Sequence, residues 1–424
     1  MTMQLNAAGT YDVAIVGGGP GGMALACALG VLTNLKIVVV DKRPITTRDH
    51  SLRIDADGID KIIHLIDRHL NRPNVKVNEA SELKDQLLKW RKHNVRTSAI
   101  EDKLTKFGRE KLNIEVHRDK EHGVQSETFD DFINTTGARV VIGADGDKSV
   151  VKPAIGANRV EEATLNYLLE LKYSARKNID PRGKIDSSLQ ASIAEGWDFE
   201  TMGRVEPNKP TTVSLHKFID KETHQALLSQ GIIEVSGLQT PVIKGTPEHA
   251  WTMAQLGNLA KNNPTAKKIY DHIVRYFRAH DLGPEHYEKE RIVTFPMIVG
   301  RSSVSAVLRN GKIVLLLGDA NSSMVLNRGV NKAFKEVALC SEAIIDYFET
   351  KPVNPSTQLP VQFQRYQENT RLLFENEKWW AVWKNRGLNA SEFLLKCAVR
   401  PLKWAVFLIS IPFRIVLFPF RKKF

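Results

Sequence analysis

Residues 11–22 read Tyr-Asp-Val-Ala-Ile-Val-Gly-Gly-Gly-Pro-Gly-Gly, an apolar run that opens directly onto Gly17-x-Gly19-x-x-Gly22. Val13 to Val16 is the right length for a buried parallel strand, and Met23 to Leu29 continues as a helix former, so the glycines fall in a strand-to-helix turn. Gly17 makes the tight turn, Gly19 lets the backbone approach a pyrophosphate, and Gly22 lets helix and strand pack closely. The anion rests on free N–H groups at the helix N-terminus. The stretch therefore predicts a dinucleotide site near the start of the chain.

Working outward, Lys36 to Val40 is a second strand ending at Asp41, nineteen residues beyond Gly22. A carboxylate there accepts hydrogen bonds from a ribose 2′-OH, which completes a βαβ unit and favours NAD or FAD over NADP in this cleft. Arg139 to Ile142 is another apolar strand, running into Gly143-Ala-Asp145-Gly146-Asp-Lys-Ser149. Lys312 to Leu317 is a further one, ending in Gly318-Asp319-Ala320, with a helix from Arg328 or Gly329. Alone, Asp145 reads as a turn aspartate and Asp319 as a helix cap. Together they place carboxylates at the carboxyl ends of parallel strands, where such sheets bind ligands.

With these three motifs in this order, the chain resembles the class A flavoprotein monooxygenases, the family of p-hydroxybenzoate hydroxylase and kynurenine 3-monooxygenase, over roughly residues 10–155 and 290–350. The resemblance implies that Gly17, Gly19 and Gly22 hold the FAD pyrophosphate and Asp41 the adenosine ribose. It implies that Asp145-Gly146 lies near the pyrophosphate and the nicotinamide path, and that Gly318-Asp319 faces the flavin's sugar chain. Arg43 and Arg53 are candidate contacts by position, with solvated surface arginines as the plain alternative. After Gly-Asp-Ala the family commonly carries His, then Pro, then a Gly-x-Gly-x-Asn loop. Here residues 321–331 read Asn-Ser-Ser-Met-Val-Leu-Asn-Arg-Gly-Val-Asn, with no His, no Pro and one glycine fewer. Gly329 and Asn331 remain as the candidates for the flavin-facing end of that loop. A looser likeness to the MICAL flavin domain, whose substrate is a protein methionine, rests on Asp41-Lys-Arg43, Arg48-x-x-x-Leu52-x-Ile54 and Val95-Arg96-Thr97.

Composition bounds the rest. At 424 residues the chain suits a two-part enzyme. Met1 to Thr10 has neither a basic start nor an apolar core, so no cleaved leader is expected. Cys27, Cys340 and Cys397 lie far apart with no CxxC spacing, which fits a reducing compartment and buried, inert thiols. No histidine pair has an HExxH frame or a cysteine pair beside it, so no metal site is expected.

Of the net charge of +12, ten Lys or Arg against Glu392 alone place +9 in residues 378–424. No nucleic-acid module accompanies it, and no nucleic-acid partner is expected. Four of the seven tryptophans, Trp379, Trp380, Trp383 and Trp404, lie in this region, with the apolar run Trp404 to Phe420 broken by Pro412, Arg414 and Pro419. A bilayer span needs about 20 mostly apolar residues. Residues 391–424 therefore read as an interfacial amphipathic anchor on an anionic surface, with a crossing segment or a core helix as alternatives. That places the protein on the cytoplasmic side of a membrane, peripheral or monotopic.

Between the motifs, Ile59 to Leu70, Glu79 to His93 and Ser98 to Lys111 read as helices and Asn113 to Val116 as a strand. Leu165 to Tyr173, Thr211 to Phe218 and Arg291 to Phe295 read as strands, with helices at Lys221 to Ser229, Glu248 to Ala260 and Ala266 to Ala279. The expected fold class is α/β: a Rossmann-like FAD-binding domain (residues 1–160 and 301–350) with an inserted sheet-plus-helix substrate domain (161–300) and a C-terminal helical region (351–424). No second GxGxxG appears, so NAD(P)H binds transiently or not at all.

The resemblance implies an FAD-dependent monooxygenase using NAD(P)H and O₂ on an aromatic or lipophilic small molecule. The alternatives are a reductase or dehydrogenase, a MICAL-like oxidase of protein methionine, and a non-catalytic FAD-binding protein. Because a cofactor would carry the chemistry, no catalytic side chain is singled out.

Overall fold

Val13–Val16 is buried at every position, which a strand reaches only inside a sheet covered on both faces. In the computed structural model of the chain this strand, β1, pairs in parallel with β2 (Ile37–Asp41) and with β6 (Val140–Gly143). The structure describes residues 11–43, 51–119, 123–175, 197–202, 211–219, 221–229, 253–279, 291–324, 328–350, 358–379 and 381. By their contacts, residues 1–375 form one compact unit and residues 376–424 a second.

The central sheet has six strands in the order β11-β12-β6-β1-β2-β5, with β5 at Glu115–Arg118, β11 at Ala306–Arg309 and β12 at Lys312–Leu316. Five run parallel, and β11 folds back on β12 as the antiparallel edge. Asn310 and Gly311 sit at φ 50° and 70° between them, the left-handed pair that a two-residue hairpin turn demands.

Alternate residues of β1 face opposite layers, as a period of two requires. Val13 and Ile15 join a core with the helices α1 (Pro20–Leu32), α2 (Ala56–His69), α3 (Val77–Trp90) and α4 (Thr97–Lys111). Ala14 and Val16 face a second core with α5 (Phe129–Thr136) and Val151 of the short α6 (Val151–Ala154). Helix α1 is buried from Gly22 to Leu32, whereas α2 buries a single stripe that includes Ile59, Ile62, Leu65 and Ile66. The first is an inner layer and the second an outer one.

A second sheet is wholly antiparallel, in the order β13-β10-β7-β9-β8. Its strands are β7 (Arg159–Ala175), β8 (Trp197–Met202), β9 (Thr211–Ile219), β10 (Arg291–Ser302) and the short β13 (Ser322–Ser323). Leu169, Leu171 and Ile292 on one face pack against Leu256, Ile269, Ile273 and Phe277. The helices on this side are α7 (Lys221–Ser229), α8 (Met253–Ala260) and α9 (Pro264–Ala279).

Strands β7 and β10 are longer than their sequence patterns suggest. β10 passes through Pro296 with register shifts at Met297/Ile298 and Val299/Gly300, irregularities that accommodate a residue without an N–H. Helix α5 and strand β8 are additions to the expected elements, although Phe129, Phe132, Ile133 and Thr136 recur at helical spacing and Trp197 and Phe199 alternate with Asp198 and Glu200; so are the short strands β3 (Ser51–Arg53) and β4 (Asn94–Arg96), which pair antiparallel as a two-stranded sheet. The helix expected over Glu248 to Ala260 is described from Met253; residues 248–252 lie outside the described residues. Helix α10 (Arg328–Glu349) returns the chain beside α1 and α2, and a further helix, α11, covers residues 361–379. The expected tail anchor, residues 391–424, and Cys397 lie outside the described residues. Cys27 and Cys340 are buried free thiols, as expected.

Candidate cofactor site

Register brings the carboxyl ends of the parallel strands to one level: Val16 lies opposite both Val40 and Gly143, Gly143 opposite Leu316, and Asp41 opposite Arg118. The ladder continues past the strand ends. Gly17 N–H donates to Val40 O at 2.7 Å, Ala144 N–H to Val16 O at 2.7 Å, and Leu317 N–H to Gly143 O at 2.9 Å. The three sequence motifs therefore leave the sheet side by side.

Gly17 turns at φ +111°, and a Cβ there would lie 2.4 Å from the Ala144 carbonyl. A Cβ at Gly22 would lie 2.0 Å from Gly17 O. Both positions are closed to any side chain. Gly19, the N-cap of α1, is different: its nearest neighbours to an added Cβ are Arg43 Nη2 and Glu101 Oε1, each at 3.9 Å. No side chain caps this helix and its first turn holds no acidic residue, so its uncapped N-terminus suits an anion.

Asp41 is 5 % exposed. Its Oδ1 accepts from the Arg43 backbone N–H (3.0 Å) and Nε (3.1 Å), and its Oδ2 from Gly18 N–H (2.9 Å) and Arg43 Nη2 (2.9 Å). Burial raises the Asp41 carboxyl, but Arg43 and the two backbone donors outweigh it and hold the pKa below the usual carboxylate value. A carboxylate offers about four acceptor positions, and all are in use, so a ribose hydroxyl reaches Asp41 by displacing part of the Arg43 guanidinium.

Asp145 and Gly146, the latter at φ +87°, lie beyond β6. Val150 N–H donates to Asp145 Oδ2 at 2.6 Å, while Oδ1 is buried with no hydrogen-bond partner. Burial pushes this carboxyl above its ordinary value, with Ser149 and Val150 only partly offsetting it. Gly17, Asp41, Arg43 and Asp145 line one cleft with Val124 and Val150.

Gly318 and Asp319 form a tight turn after β12. Gly318 N–H donates to Glu336 Oε2 at 2.6 Å, and Lys332 Nζ reaches Gly318 O at 3.3 Å and Glu336 Oε1 at 2.7 Å. Both charged side chains are fully buried. At Gly329 an added Cβ would stand 2.8 Å from Asp319 Oδ1, so the start of α10 abuts that carboxylate. Asn331 is engaged elsewhere: its Nδ2 donates to Arg53 O at 2.9 Å and its Oδ1 accepts from Asp55 N–H at 2.8 Å. Its side chain ties α10 to the backbone of residues 53–55, and Arg53 itself is exposed.

Sequence reasoning overlooked several charged residues here. Arg118, at the end of β5, bonds Gly18 O, Thr105 Oγ1 and Glu101 Oε2, and its Nε has no partner. Its signal was present, because it stands at the carboxyl end of a parallel strand just as Asp41 does. Lys152 is 7 % exposed; burial pushes its ammonium pKa down against the attraction of Asp147, Asp145 and Asp319. Lys332 and Glu336 had no such signal. Among the described residues no cluster of three metal-ligating side chains occurs.

The chain matches no protein-family model, and no curated protein matches it. Among solved structures it is similar to the anhydrotetracycline hydroxylase OxyS from Streptomyces rimosus, with 13 % identity, TM-score 0.48, and coverage of 95 % of this chain and 76 % of that one. It is similar to the tetracycline destructase Tet(51), with 10 % identity, TM-score 0.49, and coverage of 93 % and 95 %. It is also similar to the myxobacterial chondrochloren halogenase CndH, described as a variant FAD-dependent halogenase, with 16 % identity, TM-score 0.45, and coverage of 86 % and 79 %. Likenesses this distant carry no weight on activity, and no MICAL likeness is shown. The α/β fold stands on the chain's own sheet order and register.

Proposed function

We propose that the chain binds FAD across the carboxyl ends of its parallel sheet and works as a flavin-dependent oxidoreductase, a monooxygenase of small aromatic or lipophilic molecules using NAD(P)H and O₂. The observation that carries this reading is the convergence of Gly17–Gly22, Asp41, Asp145 and Gly318–Asp319 at one end of one sheet. The residues present fit such a group. The backbone at Gly19 is open to a pyrophosphate, no side chain caps the α1 N-terminus, and the partnerless Oδ1 of Asp145 accepts one further donor.

In this reading Gly19, Gly21 and Gly22 present the helix end to the diphosphate, and Arg43 adds a positive charge beside it. Asp41 and Asp319 accept hydroxyls of the sugar portions. Lys332 and Glu336 position Gly318 from beneath. When bound, FAD supplies the redox and oxygen chemistry, while the protein supplies orientation and exclusion of water. Residues 159–302 form the substrate-facing part, and residues 391–424 hold the enzyme to an anionic membrane surface. No helix among the described residues is long and apolar enough to cross a membrane. A small-molecule reductase without oxygen insertion is the alternative that the shortened loop at 321–331 favours.

The test is the visible absorption of purified protein, before and after anaerobic NADPH or NADH. Flavin bands that bleach are expected. Bands that persist would remove the nicotinamide step, and failure to take up FAD on reconstitution would remove the cofactor assignment.

A further inference from the structure

Arg118 stands opposite Asp41 in the β2–β5 ladder, at the carboxyl end of the sheet. Because β2 lies between β1 and β5, a side chain from β5 must pass the end of β2 to reach the turn after β1, and this arginine does so. Its Nη2 donates to Gly18 O and to Thr105 Oγ1 (3.0 Å), and its Nη1 reaches Glu101 Oε2 at 3.4 Å. Glu101 and Thr105 lie one turn apart on α4, so one face of that helix braces the guanidinium. The side chain is 10 % exposed, and its Nε is buried without a hydrogen-bond partner. A buried donor left unmatched works against stability, so the placement calls for a reason beyond holding the fold.

Gly18 is gripped on both sides. Its N–H donates to Asp41 Oδ2 at 2.9 Å, and its carbonyl accepts from Arg118. Among the described residues no peptide bond is cis, and in a trans peptide the C=O and N–H point in opposite directions. The bond to Asp41 therefore turns Gly17 O the other way, toward α1, where an added Cβ at Gly22 would stand 2.0 Å from it. The bond to Arg118 likewise turns Gly19 N–H away from the guanidinium. Nothing intrinsic to the stretch fixes that second peptide, because it joins two glycines. Turning it over rotates ψ of Gly18 and φ of Gly19, carrying Gly19 from φ −68° to the positive side, which glycine adopts readily. The flipped peptide would present Gly18 O, a negative dipole end, at the N-terminus of α1 in place of an N–H.

We infer that Arg118 is a positioning residue for the diphosphate: by holding Gly18 O, it keeps the Gly19 N–H rather than a carbonyl on the anion's side of the turn. The inference rests on the diphosphate's lying at the α1 N-terminus, as proposed above. Arg118 acts through the peptide, so it raises the fraction of molecules ready to bind without itself holding bound FAD. Apparent affinity scales with that fraction.

The experiment is stopped-flow mixing of FAD with the deflavinated full chain, followed by fluorescence quenching, for the parent, Arg118→Met and Arg118→Lys, with melts of the ligand-free samples. Arg118→Met is expected to slow association by about tenfold, the loss of one charge-assisted hydrogen bond on the peptide, while dissociation stays within about threefold of the parent. A role confined to stability would lower the melting temperature and leave both rates as in the parent. Should Arg118→Met fail to fold, Arg118→Lys decides. Its ammonium keeps the charge but lacks the planar fork that holds Gly18 O and Thr105 together, and association slower than in the parent is expected. A parent that takes up no FAD overturns the cofactor reading and this inference with it. A parent that binds FAD while the deciding variant associates at the parent rate overturns this inference alone. So does a weakening confined to faster dissociation, which would make Arg118 a direct contact.

Discussion

Substituting Gly19 by Ala separates cofactor binding from folding, because the space around that residue differs from the space around its neighbours. An added Cβ finds nothing closer than 3.9 Å, and the backbone sits at φ −68°, ψ −179°, which alanine adopts freely. Alanine is a poorer N-cap than glycine by up to about 1 kcal/mol, while the stiffer unfolded chain returns about 0.4–1 kcal/mol. The ligand-free protein should therefore melt within about 4 °C of the parent. A diphosphate resting on the helix end meets the new methyl group directly. Losing two charge-assisted hydrogen bonds at about 1.5–3 kcal/mol each weakens FAD by at least about a hundredfold. Gly22→Ala is the contrast: its Cβ would stand 2.0 Å from Gly17 O, so it should damage the fold with or without cofactor. The assay is FAD titration of deflavinated protein by fluorescence quenching, with thermal melts of the same samples. FAD affinity for Gly19→Ala within about threefold of the parent would refute the placement of the diphosphate over Gly19. A melt as depressed as that of Gly22→Ala would refute the spatial argument.

Asp41→Asn should lower stability near neutral pH by about 1.5–3 kcal/mol, since Arg43 and Gly18 lose a charged acceptor. The folded carboxyl is held below its unfolded value of about 3.9. Its contribution is thus fully present above that value and lost as pH falls through the folded one. Urea midpoints of parent and Asp41→Asn should converge below about pH 4; a gap that stays constant to the lowest pH would contradict this. Lys332→Met strands the buried Glu336 carboxylate and should cost about 3–5 kcal/mol, with Lys332→Met/Glu336→Gln recovering part of it; a neutral single substitution would show that the pair does not brace Gly318. Removing residues 391–424 should abolish co-sedimentation with phosphatidylserine vesicles while FAD stays bound, and unchanged pelleting would discard the anchor.

Much of the nucleotide-binding half was legible because its signals are local. A four-residue buried strand, a glycine turn and a terminal carboxylate each declare themselves within a few residues, so β1 has the expected ends and α1 and β2 lie within three residues and one residue of theirs. The carboxyl ends of β6 and β12 were legible for the same reason, as was the burial of Cys27 and Cys340. Tertiary structure decided whatever depends on contact between distant segments. Asp41 and Arg43 are two residues apart, yet only the approach of Gly18 completes the set of donors that saturates Asp41. Arg118 belongs to the site because β5 pairs with β2, and Asn331 leaves it because residues 53–55, some 277 positions away in sequence, claim its amide. The full lengths of β7 and β10 come from pairing with each other, which carries a strand through a proline that local propensity reads as an end. The buried Lys332–Glu336 pair was invisible for one physical reason. A polar residue on a helix or strand reads as solvent-facing until packing removes the solvent, and which residues lose their water is decided by the assembled layers rather than by any stretch of chain.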